Sequence, residues 1–186
     1  GGFFSCDMQK LREAVVAMPW VDDVSIRRSW PDKLSMIVTE QVPLARWGDD
    51  ALINVGAEVF RPQSLDGFER LVKLSGPPGS GHRVVAFLQA AVPVARTRGL
   101  QITELELDDR RHWWLRFGDA LTVSLGHENI EYRLAQFFRV YPNLVAEPQR
   151  QPQRVDMRYA HGFAVRWREV PAEDATTQDA ESQEKV

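Results

Sequence analysis

Glu104-Leu105-Glu106-Leu107-Asp108, then Trp113-Trp114-Leu115-Arg116-Phe117-Gly118-Asp119, then Leu121-Thr122-Val123-Ser124-Leu125 is the stretch that decides the fold. Apolar residues stand at every second position: Leu105 and Leu107, Trp113, Leu115 and Phe117, Leu121, Val123 and Leu125. Glu104, Glu106, Asp108, Trp114, Arg116, Thr122 and Ser124 fill the places between. A period of two is the pleat of a strand whose two sides meet different surroundings. Gly118-Asp119 supplies a turn. Residues 100–126 therefore predict an antiparallel meander with one face buried.

Two helical patterns flank this meander. Ile130, Leu134, Phe137, Phe138, Tyr141 and Leu144 fall on one stripe of a helix over 129–144, which Pro142 should end. Val84, Val85, Leu88, Ala91, Val92 and Ala95 make a second helix, with Pro93 expected to kink or shorten it and Gly99 to cap it. Short strands are expected at 45–47, 52–54, 58–60 and 71–74. After the 129–144 helix, 149–153 reads as a polar linker. Val155, Met157 and Tyr159 then predict a strand, Ala160-His161-Gly162 a turn, and Phe163, Val165 and Trp167 a returning strand. At the other end, Asp7 suits an N-cap, Leu11, Val15 and Met18 share a helical face, and Pro19 stops the helix. Val24, Ile26, Arg28 and Trp30 alternate as a strand, Trp30-Pro31-Asp32-Lys33 turns, and 34–39 pairs back. That leaves a unit of one helix and two strands, too small to be stable alone.

Composition narrows the function. The 186 residues are 44% hydrophobic and 26% charged, enough for one or two domains with a real core. The net charge is −3, and the acidity is local: in the last sixteen residues Glu173, Asp174, Asp179, Glu181 and Glu184 face one base, Lys185. The remaining 22 bases and 21 acids nearly cancel, so the folded part lacks the charge of a general nucleic-acid binder. From Pro171 there is no aromatic and no large apolar residue until Val186, the composition of a disordered tail. One cysteine, Cys6, excludes an intrachain disulfide framework, and a small apolar role suits it. No apolar run approaches the ~20 residues that span a bilayer. The chain begins without Met and without a signal peptide, so it is expected to be a fragment.

No catalytic constellation stands out. Gly76-Pro77-Pro78-Gly79-Ser80-Gly81 lacks the Lys-Ser/Thr ending of a phosphate loop, and its prolines remove backbone donors. His127-Glu128 opens like a zinc-protease helix, but Glu131 stands where the second His belongs. Asp108-Asp109 reads as a solvated turn. The expectation is a non-enzyme with no cofactor and no metal. Trp30, Trp113 and Trp167 alternate with apolar neighbours and are expected in the core. Trp114, opposite Trp113 and among Arg111, His112 and Arg116, suits a protein contact. If 163–168 is the last strand, its outer edge is open to another chain, and Arg166 and Arg168 give it a basic rim suited to an acidic peptide.

Several strings have a familiar order. They are Pro19-Trp20-Val21, Val24-Ser25-Ile26-Arg27-Arg28-Ser29-Trp30-Pro31-Asp32-Lys33-Leu34, and Glu40-Gln41-Val42-Pro43-Leu44-Ala45-Arg46-Trp47. Further along come Leu74-Ser75-Gly76-Pro77, Arg110-Arg111-His112-Trp113, Leu125-Gly126, Arg133-Leu134-Ala135-Gln136-Phe137, and Val155-Asp156-Met157-Arg158-Tyr159 with Gly162 and Trp167. Together they resemble the FtsQ/DivIB family of bacterial cell-division proteins over residues 3–168. The resemblance implies an α+β chain: a truncated POTRA domain, then a mainly antiparallel β domain carrying two helices. It places the partial POTRA domain at 1–42, with its first strand and helix absent, the β domain at 43–170 and the acidic tail at 171–186.

The same resemblance implies the periplasmic part of a single-pass inner-membrane protein at the division septum. Such proteins are scaffolds that recruit FtsB and FtsL and help control septal peptidoglycan synthesis. By motif match, FtsB adds a strand to the last strand. That points to Arg158, Tyr159, His161, Gly162, Phe163, Ala164, Val165 and Trp167, with Arg111 paired to an FtsB acid. Arg28, Trp30 and Pro31 carry a second expectation, localisation and upstream partners such as FtsK. The rival expectation is a POTRA-bearing, chaperone-like module of an outer-membrane assembly or secretion factor.

Overall fold

A computed structural model describes residues 7–30, 33–146, 149–159 and 162–169 of the chain. The expectations for Cys6, the Pro31-Asp32 turn, Ala160-His161 and the acidic tail lie outside those residues. The described residues form two compact units, divided between Leu71 and Val72.

The first unit opens with helix α1 (Met8–Val16), then strands β1 (Val21–Ser29) and β2 (Lys33–Glu40), then β3 (Pro43–Trp47), β4 (Ala51–Asn54) and β5 (Val59–Phe60). Asp7 caps α1 as its sequence position predicts: its Oδ1 accepts the Gln9 and Lys10 N–H groups at 3.0 and 3.2 Å. β1 and β2 pair as an antiparallel hairpin, and β3, β4 and β5 pair antiparallel in turn. Val24, Ala45, Leu52, Ile53 and Phe60 are buried. Trp20 packs on Phe60 and Phe68, with centroids 5.4 and 5.6 Å apart. Asn54 is buried and fully used: it donates to Gln41 Oε1 at 2.8 Å and Glu58 Oε2 at 3.1 Å, and accepts from Glu58 N–H at 2.9 Å.

One expectation fails in this unit. Trp30 is not a core residue; it is 84% exposed. Alternation predicted one buried face for the hairpin, but every residue of β2 is exposed, Leu34, Met36, Ile37 and Val38 included. α1 itself buries no residue fully, so it does not supply a dry face for β2.

The second unit runs β6 (Lys73–Ser75), α2 (Gly81–Arg96), β7 (Ile102–Leu107), β8 (Trp113–Phe117), β9 (Leu121–Gly126), α3 (Ile130–Leu144), β10 (Arg150–Asp156) and β11 (Ala164–Glu169). These strands lie in the order β11-β10-β9-β8-β7-β6. β7-β8-β9 is the antiparallel meander read from the sequence. β6 and β7 are parallel, as are β9 and β10. Each parallel pair needs a crossover, and α2 and α3 are those crossovers.

Register aligns three rows across all six strands. Leu74, Leu105, Leu115, Val123, Val155 and Val165 form the apolar row. The rows on either side are Lys73, Glu104, Arg116, Thr122, Arg154 and Arg166, and Ser75, Glu106, Trp114, Ser124, Asp156 and Ala164. Period two sends the apolar row to one face and its two neighbours to the other. The buried stripes of α2 (Val84, Val85, Leu88, Ala91, Ala95) and α3 (Ile130, Leu134, Phe137, Phe138, Leu144) complete the core. Trp113 is wholly buried, 4.6 Å from Phe87 between centroids. Phe117 stacks on Phe137 at 5.4 Å. Tyr141 lies 5.6 Å from Phe137, and burial pushes its hydroxyl above the ordinary tyrosine value.

Two prolines and one polar segment depart from their expectations. α2 continues past Pro93 to Arg96, because Ala95 is buried in the core. It closes after that turn: Leu100 N–H reaches the Ala95 carbonyl and Gly99 N–H the Arg96 carbonyl, with Gly99 at φ +67°. α3 runs through Pro142 to the buried Leu144, since a proline in the last turn forgoes only one helical bond. The polar segment 149–153 is not a linker. β10 already starts at Arg150, and the irregularity in its pairing with β11 at Pro152/Arg154 accommodates the proline. Correspondingly β10 ends at Asp156, so Tyr159 lies beyond the strand.

β10 ends in a clamp. Arg158 Nε meets Asp156 Oδ1 at 2.8 Å and its Nη2 meets Oδ2 at 2.6 Å. This guanidinium holds the Asp156 carboxyl below its ordinary value, against the opposing effect of burial. A depressed carboxylate stabilises the fold above the ordinary value and loses that contribution as pH falls through the lower, folded value. Asp156→Asn is therefore expected to lower the melting temperature at pH 7, with the gap to the parent closing as pH falls below about 4; a melting series over pH 2–7 checks this. Gly126 has φ +75°, and a Cβ there would meet Arg133 Nη1 at 2.7 Å and Arg158 Cγ at 3.2 Å. Gly126→Ala should cost roughly 1–3 kcal/mol in urea unfolding, and an unchanged midpoint would contradict the contact.

Candidate partner-binding site

β11 ends its sheet, and no described strand lies beyond it. In an antiparallel pair alternate residues turn N–H and C=O away from the neighbour, so β11 presents a row of backbone groups to solvent. Its position follows from the fold. The α3 crossover delivers β10 parallel to β9, and β11 lies antiparallel on the outer side of β10. Val165 is half-buried and belongs to the apolar row, whereas Ala164, Arg166 and Arg168 are exposed on the other face. Arg168 Nη2 donates to Gln151 Oε1 at 2.9 Å. Trp167, expected in the core, is 39% exposed, because an edge strand has a neighbour on one side only.

A groove lies beside the start of β11, on the helix side. It encloses about 560 Å³ between α3 and residues Met157, Tyr159, Gly162 and Phe163. Tyr132, Arg133 and Arg139 line it from the helix; Tyr159, Gly162 and Phe163 line it from the other side. Tyr132 is 65% exposed and Tyr159 60%, while Phe163 is partly covered. Two exposed phenol rings and a phenylalanine edge on a groove suit insertion of a partner's apolar side chain, the usual anchor of a protein interface. Arg133 is fixed by donating from Nη1 to the Leu125 carbonyl at 2.6 Å. Arg158 is committed to its bidentate bond with Asp156.

The sequence-predicted residues are partly gathered. Arg158, Tyr159, Gly162, Phe163 and Ala164 cluster at one end of the sheet. Arg111 sits in the β7–β8 loop at that same end, three strand spacings from β11, roughly 14 Å. Its φ of +63° and the bonds Asp108 N–H to His112 carbonyl (2.9 Å) and Arg111 N–H to Asp108 carbonyl (2.9 Å) define a tight turn. Asp108 Oδ1 also accepts the His112 N–H at 2.8 Å, and the His112 ring stacks on His127 at 5.3 Å. Trp167 lies toward the far end of β11. Arg28 and Trp30 stand at the tip of the β1–β2 hairpin in the other unit. His161 and Pro31 fall outside the described residues.

Two features were not legible in the sequence. Tyr132 and Arg139 face the groove from the polar side of α3, and nothing in the apolar stripe announces a role for them. Arg154, not an arginine of the β7–β8 loop, stacks on Trp114, its Cζ 4.6 Å from the ring centroid. Among the described residues no cluster of His, Cys, Asp or Glu is arranged to hold a metal, and no helix is long and apolar enough to cross a membrane.

Two family models cover the chain. The model described as "Cell division protein FtsQ/DivIB, C-terminal" matches residues 45–158, and "POTRA domain, FtsQ-type" matches residues 1–41. Proteins named "Cell division protein FtsQ" are similar along most of the chain. That of Coxiella burnetii is 36% identical over 168 residues, covering 90% of this chain and 69% of that protein. That of Xanthomonas campestris is 35% identical over 164 residues, 88% of this chain and 59% of that protein. That of Thioalkalivibrio sp. is 38% identical over 176 residues, 93% and 72%. The chain thus spans between about half and three quarters of the length of these relatives. With both halves matched in order and a POTRA part followed by a sheet-rich part, the chain belongs to the FtsQ/DivIB family of cell-division proteins.

Proposed function

We propose that the chain is a partner-binding scaffold of the division machinery that captures FtsB, together with FtsL, by adding an FtsB strand to β11. The observation that carries this reading is the unpaired edge of β11 lying beside the Tyr132–Tyr159–Phe163 groove. Backbone hydrogen bonds along the edge give affinity, and the groove gives specificity by accepting a side chain. Arg111, at the same sheet end, serves an acid of the partner. Family membership supports a role in division, and in this reading the unit acts in the periplasm, below a membrane anchor at the septum, where it helps control peptidoglycan synthesis. The scheme assigns 1–42 as a partial POTRA domain, 43–170 as the partner-binding domain and 171–186 as a tail; the two family matches, ending at 41 and resuming at 45, support that division. Arg28, Trp30 and Pro31 form a second surface for FtsK or another upstream division protein, supported by the exposure of Trp30.

Titration of the chain with the periplasmic parts of FtsB and FtsL tests the reading. Tyr159→Ala is expected to weaken binding by roughly 2 kcal/mol or more, about thirtyfold, while Trp30→Ala leaves it unchanged. Equal binding by parent and Tyr159→Ala moves the site elsewhere; no binding by a folded parent removes FtsB as the partner. Successive residues of β11 alternate in which side their N–H faces. Of Val165→Pro and Arg166→Pro, one should therefore abolish binding while keeping the native melting transition. If both folded variants bind as the parent does, strand addition is wrong.

A further inference from the structure

The face of the sheet opposite the helices carries a charge pattern that ends out of balance at the edge. Arg116 Nε meets Glu104 Oε2 at 2.9 Å across β8 and β7. In the same row, next to the edge, Arg154 on β10 stands directly opposite Arg166 on β11. Like charges directly opposed across strands are destabilising. Neither arginine has a carboxylate within ion-pair distance among the described residues, and Arg154 lies over Trp114 instead. Together with Trp114 they border a groove of about 460 Å³ on this open face. Arg168, two residues along β11, shares the face and is held by Gln151. The row is thus complete except for an anion at the next position outward, the place a seventh strand would fill.

We infer that β11 selects an incoming strand by charge and register: an acidic side chain opposite Arg166, with apolar side chains on either side of it facing Val165 and Trp167. This rests on the strand-addition reading and adds the chemistry of the strand. Side chains directly opposed in adjacent strands lie about 5 Å apart at Cβ, within reach of a carboxylate–guanidinium bond. Because the period is two, an acid opposite Arg166 places the neighbouring residues on the helix side. There Val165 extends the Leu74–Leu105–Leu115–Val123–Val155 row, and the half-covered Trp167 gains a partner. A slip of one residue would set apolar groups against two arginines and acids against Val165 and Trp167. Arg166 is therefore the register-setting residue of the edge.

The experiment uses twelve-residue peptides in which valine alternates with glutamate, glutamine or lysine, titrated into the full chain and followed by amide NMR shifts. The glutamate peptide is expected to bind at least about fivefold more tightly than the lysine peptide, with shifts centred on 164–169. Arg166→Glu should abolish or reverse that preference, and 0.5 M salt should shrink it. A chain ending at residue 170 is run alongside; a preference that emerges only there supports the charge rule and identifies the acidic tail as a competing occupant. Equal binding of all peptides, an unchanged preference in Arg166→Glu, or no binding of the glutamate peptide at millimolar concentration overturns the inference. The FtsB titration with the proline variants remains a separate readout. If FtsB adds to β11 while the peptides show no charge preference, the edge reading stands and the charge rule falls.

Discussion

Burial of a single aligned row, Leu74, Leu105, Leu115, Val123, Val155 and Val165, is the constraint on which the larger unit depends. The row exists only if six strands keep one register, and two helices cover it from one side. Every other placement in the unit follows by parity. Once Leu115 faces the helices, Trp114 and Arg116 must face away. Once Val155 is inside, Arg154 and Asp156 are outside, and Arg158 can reach back to Asp156. The functional residues are carried to the sheet end and the sheet edge by hydrophobic register.

The clarity of the sequence follows the same physics. The meander was legible because three consecutive strands alternate cleanly, and α2 and α3 because their stripes are long and wide. That the described residues end in a strand was legible from Phe163, Val165 and Trp167. Pro93 was expected to kink or shorten its helix and Pro142 to end its own, but a local propensity yields when the residues beyond it are buried, as Ala95 and Leu144 are. Trp30 and Trp167 alternate like core residues and are exposed, since alternation reports a face and not whether anything covers it. The parallel pairings β6–β7 and β9–β10 left no periodic trace. They join residues some thirty positions apart, so the contact of Arg154 with Trp114 could not be read from neighbours in the chain.

The site divides the same way. Tyr159, Gly162 and Phe163 were singled out through family motifs, and the fold places them around one groove with Tyr132 and Arg139 of α3. The helix contribution was invisible because polar positions on a helix carry no signal until their neighbours are known. The two surfaces of β11 also differ in kind. One continues a hydrocarbon layer, and the other continues a charged row, so an edge strand here has a chemical polarity as well as a direction.

The crossover that delivers β10 has a kinetic meaning. The meander β7–β9 closes through short turns, whereas pairing β9 with β10 must close the long connection that holds α3. Closing a long loop costs entropy before any contact repays it, which delays non-local pairings. Among the described residues β11 has β10 as its one strand neighbour, so it joins the sheet only through β10. The β11 edge is thus tied to the meander only through that non-local pairing. In the strand-addition reading, docking on β11 is thereby coupled to the long-range pairing of β9 with β10.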